Sequence, residues 1–64
     1  MKRRELERHL RAQSCRQIDE GANHSRWIGP SGARSVMPRH REIDYALARK
    51  ICRQLKIPPP TGSR

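Results

Sequence analysis

The chain is organised around one stretch in its first half, Gly21-Ala22-Asn23-His24-Ser25-Arg26-Trp27. A glycine followed by a small residue and an asparagine is typical of a tight turn, so the start of this stretch predicts a hairpin. The residues after the turn continue as a strand over 24–28. Alternation along a strand then puts His24 and Arg26 on one face and the only tryptophan of the chain on the other, towards a core.

Two more strands extend this hairpin into a sheet. Residues 15–20 alternate loosely between polar and apolar side chains and precede the first turn, which favours a strand there. Gly29-Pro30-Ser31-Gly32 is a second, stronger turn signal, and Arg34-Ser35-Val36-Met37 reads as the third strand. Neither turn leaves room for a crossover helix, so the three strands should form an antiparallel meander.

A helix is predicted on each side of the meander. Residues 2–13 are rich in good helix formers, with Leu6 and Leu10 as a narrow apolar stripe. Asp44 is a suitable N-cap for a second helix that ends at about Leu55. Its apolar stripe recurs every four residues, at Ile43, Leu47, Ile51 and Leu55. The predicted fold is therefore α+β, in the order α-β-β-β-α, with a three-stranded antiparallel sheet and both helices on one face.

Length and composition predict a single small domain with a thin core. We place the domain at residues 1–57 and expect residues 58–64, which begin with three prolines, to be a flexible tail. A chain of 64 residues with one Trp, one Tyr and no Phe has little apolar volume to bury. Such a protein is expected to gain stability from whatever binds its folded form.

The charge balance predicts a polyanionic partner. Fifteen Lys and Arg oppose six Asp and Glu, for a formal net charge of +9, and twelve of the fifteen are Arg. The planar guanidinium suits phosphate, which makes nucleic acid the first candidate. A membrane is not expected, because the chain has no long apolar run and no signal peptide. An acidic protein partner stays open beside the nucleic acid.

The two cysteines predict neither a disulfide nor a metal site. Without a secretory signal, Cys15 and Cys52 are expected to be reduced, partly buried residues of a cytoplasmic protein. A zinc site would have to combine them with His24 and His40, at a spacing that matches no common pattern. Walker-type, paired-cysteine and His-Glu helix motifs are all missing from the sequence, so no metal or cofactor is expected.

His24 is the first candidate for chemistry. An imidazole is the side chain best suited to proton transfer near neutral pH. Cleavage of RNA without a metal needs a base for the 2′-hydroxyl proton, an acid for the leaving 5′-oxygen, and cations near the phosphate. His24 could fill one of the two proton-transfer roles. The alternative is an ordinary strand histidine on a solvated face.

The residues that could bind the RNA phosphates are Arg16, Arg26, Arg39, His40 and Arg41. His40 could also be the partner acid or a plain loop residue, and a run of charges is often just a solvated surface. Asp19 and Glu20 could orient His24 across the hairpin, or they could be exposed charges that temper the basic surface.

Three features resemble the HicA toxin family, also called the YcfA-like mRNA interferases. The first is a short helix leading to a strand that ends at a glycine. The second is the turn-plus-histidine motif Gly21-Ala22-Asn23-His24, and the third is Val36-Met37-Pro38-Arg39-His40, followed by Ile43 and a helix containing Leu47-Ala48-Arg49-Lys50-Ile51. In this order and spacing they span nearly the whole chain up to Ile57. One departure is Ala46, which stands where the family usually has a glycine.

The resemblance implies a fold similar to the double-stranded RNA-binding domain. It also implies a ribosome-independent endoribonuclease that degrades mRNA and arrests growth, the toxin of a type II toxin–antitoxin system, with His24 as the catalytic residue. The implied protein partner is a HicB-like antitoxin that blocks the active site, and the toxin would meet DNA only through that complex. A non-catalytic RNA-binding module of the same fold, and a protein-interaction partner for which RNA is incidental, are the alternatives.

Overall fold

The computed structural model of the protein describes residues 1–21 and 23–60. Its elements are α1 (Arg3–Ala12), β1 (Arg16–Glu20), β2 (His24–Ile28), β3 (Arg34–Pro38) and α2 (Tyr45–Gln54). The predicted α-β-β-β-α order is confirmed, and the predicted boundaries differ from these by one residue at most.

The sheet is an antiparallel meander in the order β1-β2-β3. β2 pairs with β3 in unbroken register, from His24 opposite Pro38 to Ile28 opposite Arg34. The pairing of β1 with β2 shifts between Gln17 and Asp19, so that Ile18 is an extra residue in β1. This irregularity explains why the sequence of β1 alternates only loosely, and it leaves the Ile18 side chain 44% exposed.

One face of the sheet carries the core. Alternate residues of β2 and β3 are buried on it, among them Trp27 and Met37, each fully excluded from solvent. Both helices contribute their apolar stripes to the same core. The buried hydrophobic residues are Leu6, Leu10, Cys15, Trp27, Met37, Ile43, Ala48, Ile51, Cys52 and Leu55. The predicted packing of two helices on one face is therefore confirmed, and the opposite face is not covered by either helix.

The helix ends show where local prediction succeeds and where it fails. Asp44 occupies the predicted N-cap position of α2, and its carbonyl accepts a hydrogen bond from the Ala48 amide at 2.9 Å. Its carboxylate, however, does not cap the helix. At the start of α1, Lys2 has no side-chain acceptor to offer, and Glu5 Oε1 instead accepts a hydrogen bond from the Lys2 amide at 3.3 Å.

The two turns use their glycines differently from one another. In the second turn Gly32 has φ 92°, which requires glycine, and its amide bonds the Gly29 carbonyl at 3.1 Å. In the first turn Gly21 does not have a positive φ, and a Cβ added to it would meet only ordinary contacts. The hairpin forms where it was predicted, but the backbone conformation of Gly21 is not the reason. Ala22 lies outside the described residues.

The first residues of the predicted flexible tail contact both helices. The Pro58 carbonyl lies 2.9 Å from Nε2 of His9 in α1, and the Pro60 carbonyl accepts a hydrogen bond from the Tyr45 hydroxyl of α2 at 2.8 Å. Pro60 is buried. The remaining tail, residues 61–64, lies outside the described residues.

The two cysteines are free, and both are buried more completely than the partial burial expected from the sequence. Burial raises the pKa of the Cys15 thiol, and burial together with the nearby Cys15 raises the pKa of Cys52 to about 11. Both thiols are therefore protonated and poorly reactive at neutral pH. Within the described part of the chain, neither helix has the length and apolar character needed to span a membrane.

Candidate nucleic-acid interface

His24 lies on the uncovered face of the sheet, at the first position of β2. The side chains that share this face, which we call the open face, are Arg16, Asp19, His24, Arg26, Ile28, Arg34, Val36 and Pro38. A shallow depression beside the imidazole is lined by its neighbours from the first hairpin and by Val36 of β3. The imidazole is exposed, so that a ligand as large as an RNA strand can reach it.

Arg39 holds the turn that precedes His24. Its Nη1 donates to the Gly21 carbonyl at 3.1 Å, and its Nη2 lies 2.7 Å from a carboxylate oxygen of Glu20. Its own amide donates to the Asn23 carbonyl at 3.1 Å. Arg39 was predicted to bind RNA, but its side chain bonds the β1 side of the hairpin and its amide bonds Asn23 on the β2 side, so its first role is to position the turn.

Arg26 is next to His24 on the open face and is paired with Asp19 of β1. Its Nε donates to Asp19 Oδ2 at 3.1 Å, and its Nη2 bonds the same oxygen. The hydrogen bond from Arg26, and then its charge, hold the pKa of the Asp19 carboxyl below the ordinary value. A guanidinium has five N–H donors, so Arg26 keeps donors for a phosphate beside this pair.

Neither acidic residue of the hairpin orients His24. Asp19 bonds Arg26, and Glu20 bonds both Arg39 and the Gln17 side chain. Within residues 1–21 and 23–60, His24 makes no side-chain hydrogen bond to a carboxylate. The two charges temper the basic surface, which was the other of the two interpretations drawn from the sequence.

The other predicted phosphate ligands are not all at the same place. Arg16 is on the open face opposite Ile28, about 13 Å along β2 from His24 at the usual rise of a strand. His40 is exposed in the loop after β3 and lines neither depression beside His24. Arg41 lies in the same loop and lines a separate pocket with the start of α1. Of the five predicted phosphate ligands, only Arg26 and Arg39 therefore lie close to His24 and the turn before it.

Three polar residues near His24 were not among the site residues predicted from the sequence. A second depression leads from His24 over the edge of β3 to α2, and Arg34, Lys50 and Gln54 are among the residues that line it. The period-two alternation of β3 already puts Arg34 on the face of Val36, so this signal was present in the sequence. Lys50 and Gln54 could not be found in the same way, because only the packing of α2 beside β3 brings them there.

The chemistry available at the open face is that of an accessible imidazole among arginines. Among residues 1–21 and 23–60, no three His, Cys, Asp or Glu side chains are grouped in a way that could hold a metal ion. The chain has no significant match to a protein-family model, to a curated protein or to a solved structure.

Proposed function

We propose that this protein is a metal-independent endoribonuclease that cleaves mRNA, with His24 as its catalytic residue. The observation that carries the proposal is an exposed imidazole on an uncovered sheet face, next to a turn braced by Arg39 and beside Arg26. The net charge of +9 and the likeness of the sequence motifs to the HicA toxins support the same function. In this proposal the protein is the toxin of a type II toxin–antitoxin system.

The reaction uses the RNA's own nucleophile. The ribose 2′-oxygen attacks phosphorus, the bond from phosphorus to the 5′-oxygen breaks, and the products end in a 2′,3′-cyclic phosphate and a 5′-hydroxyl. One proton leaves the 2′-hydroxyl and one reaches the 5′-oxygen, and His24 performs one of these transfers. Arg26 and Arg34 stabilise the charge that develops on the phosphorane oxygens.

The partners of the proposed toxin are its mRNA substrate and an acidic, HicB-like antitoxin in the cytoplasm. The open face offers such a protein apolar contact as well as cations, since Val36 is 45% exposed on it and Ile18, 44% exposed, lines a depression with Arg26 and Val36. An antitoxin bound there would cover His24 and block cleavage. DNA would be contacted only through that complex.

The proposal is tested by incubating RNA with the wild-type protein and with His24→Ala, each with and without a chelator. We expect the wild-type protein to yield a cyclic phosphate product with or without chelator, and His24→Ala to yield none. His9→Gln is the matched control, because His9 faces Pro58 on the helix side and Gln keeps a donor there. Cleavage by His24→Ala at the wild-type rate would refute the catalytic role of His24. Inhibition by the chelator would refute the metal-independent mechanism.

The second candidate is an RNA-binding module of the same fold that cuts nothing. It is favoured by the lack of a hydrogen-bonded proton-transfer partner for His24 among the described residues. A double-stranded RNA-binding domain recognises shape and phosphates over about 16 base pairs. Salt-sensitive binding of intact duplex without product, and no growth arrest when the protein is induced in cells, would favour this candidate over the nuclease.

A further inference from the structure

A second basic site lies at the start of α1. The pocket there is lined, among the described residues, by four cationic side chains, Lys2, Arg3, Arg4 and Arg41. They come from two segments that are distant in sequence, so their meeting is a property of the fold. The site is separate from the depressions beside His24, whose lining residues it does not share.

Backbone pairing forces these cations together. The Arg3 amide donates to the Arg41 carbonyl at 2.8 Å, the Ile43 amide donates to the Met1 carbonyl at 2.7 Å, and Lys2 forms a β-bridge with Glu42. Holding like charges close together costs free energy, which a bound anion would recover. The backbone bonds keep the two segments side by side, so the four cationic side chains start from neighbouring positions.

The side chains of the pocket are only partly used by the protein. Arg3 donates from Nη1 to the Arg39 carbonyl at 2.8 Å, and its Nε lies 3.6 Å from Oε2 of Glu7. Its guanidinium is therefore already bound within the protein. Arg4 and Arg41 are exposed, and neither side chain makes a hydrogen bond or ion pair with a described residue. Two guanidinium groups with all their donors available are well suited to the oxygens of a phosphate.

The pocket is within reach of the strand that would occupy the His24 site. Asn23, the neighbour of His24, is hydrogen-bonded to Arg39, and Arg41 is two residues further along the loop. At ordinary Cα spacings this path from His24 to Arg41 is no longer than about 17 Å. A stacked single strand rises about 3.4 Å per nucleotide, so about five nucleotides cover the distance.

We propose that the Lys2-Arg3-Arg4-Arg41 pocket is a phosphate-binding subsite, which holds a backbone phosphate of the RNA a few nucleotides from the bond that is cut. The inference rests on the proposed function, because it takes RNA as the ligand. The subsite contributes affinity and strand placement, whereas His24 performs the chemistry.

The test measures binding of a single-stranded RNA whose riboses are 2′-O-methylated, so that it cannot be cleaved. Arg4→Ala/Arg41→Ala is compared with Arg8→Ala/Arg53→Ala, a control that removes the same charge from exposed positions outside the pocket. The pocket variant should bind about 10-fold more weakly than the control, and its affinity should fall less steeply with salt, by about 0.7 in the logarithmic slope per lost contact. Circular dichroism checks that both variants are folded.

Each outcome is decisive. Equal weakening in the two variants means that net charge alone matters, and it overturns the subsite. Inorganic phosphate or a nucleoside monophosphate bound at the pocket as tightly as the RNA would show that a free phosphate, and not the strand, is the ligand. If the wild-type protein binds the methylated RNA but does not cleave unmodified RNA, the proposed nuclease activity is refuted. The comparison of the two double variants then still decides whether the subsite binds RNA. Wild-type protein that binds no RNA refutes both.

Discussion

Arg39 illustrates how a residue that resembles an RNA contact in the sequence can have another role in the fold. Its guanidinium bonds the Gly21 carbonyl and the Glu20 carboxylate, and its amide bonds the Asn23 carbonyl. All three partners belong to the hairpin that presents His24. Arg39 therefore braces the turn that precedes His24, and any phosphate it binds in the proposed function must share its guanidinium with these bonds.

For the proposed nuclease, we expect Arg39→Ala to lower kcat for RNA cleavage by roughly 10- to 100-fold with little change in KM, because a displaced catalytic group loses alignment and not substrate affinity. Steady-state kinetics on a short RNA checks this, together with hydrogen exchange of the Gly21 amide, which should become faster. Arg53→Ala, an exposed arginine of α2, serves as the control. A raised KM at unchanged kcat would instead make Arg39 the phosphate ligand that the sequence suggested.

The pair between Asp19 and Arg26 predicts a dependence of stability on pH. Hydrogen bonding from Arg26 lowers the folded-state pKa of Asp19 from the ordinary value of 3.8. The carboxylate therefore stabilises the fold at pH values above 3.8, and this contribution is lost as the pH falls through the lowered folded-state pKa. Urea unfolding of wild type and Asp19→Asn should show wild type as the more stable at neutral pH and equal stabilities in strong acid. Asp44→Asn, which removes a carboxylate without a cap bond, serves as the control.

Among the elements, the second turn is tied to the end of α2. A Cβ on Gly29 would clash with the backbone carbonyl of Leu55, the residue that follows α2. Gly32, in the same turn, has a positive φ but open space around a Cβ. The two glycines are thus required for different reasons, one for close approach of two segments and one for backbone conformation.

The expected result of Gly29→Ala is a loss of unfolding free energy of about 1–3 kcal/mol, since the turn or the helix end must move. Gly32→Ala should cost about 1 kcal/mol from backbone conformation alone. Chemical denaturation measures both, and Gly29→Ala should in addition shift the amide resonances of residues 54–57, which Gly32→Ala should leave in place. Equal costs and no shift at the helix end would contradict this account.

At the scale of the whole molecule, a thin core supports a surface with a high positive charge. Among the residues that the structure describes, ten apolar ones form the buried cluster, and the formal net charge of the chain is +9. The cations are distributed over the open face, the loop after β3 and both helices, so their positive charges repel one another wherever no anion is bound. Binding of a polyanion to the folded form is expected to stabilise it, which links the marginal core to the proposed substrate.

Much of the fold followed from local patterns in the sequence. The order of the five elements, their ends, the core position of Trp27 and the exposure of His24 depend on apolar periodicity and turn residues, which act over a few neighbours. The helices could be assigned to one face of the sheet because each has a single apolar stripe. Such features need no knowledge of which distant segments meet.

Only the tertiary structure decided which charges act together. The sequence could not assign Arg39 to the hairpin, Arg26 to Asp19, or Arg41 to the start of α1, because each pairing joins segments that the folded backbone brings side by side. Charges follow no periodicity, and an arginine side chain is long enough to reach several alternatives. The position of His24 was therefore determined by the local sequence, whereas its surroundings were determined by long-range packing.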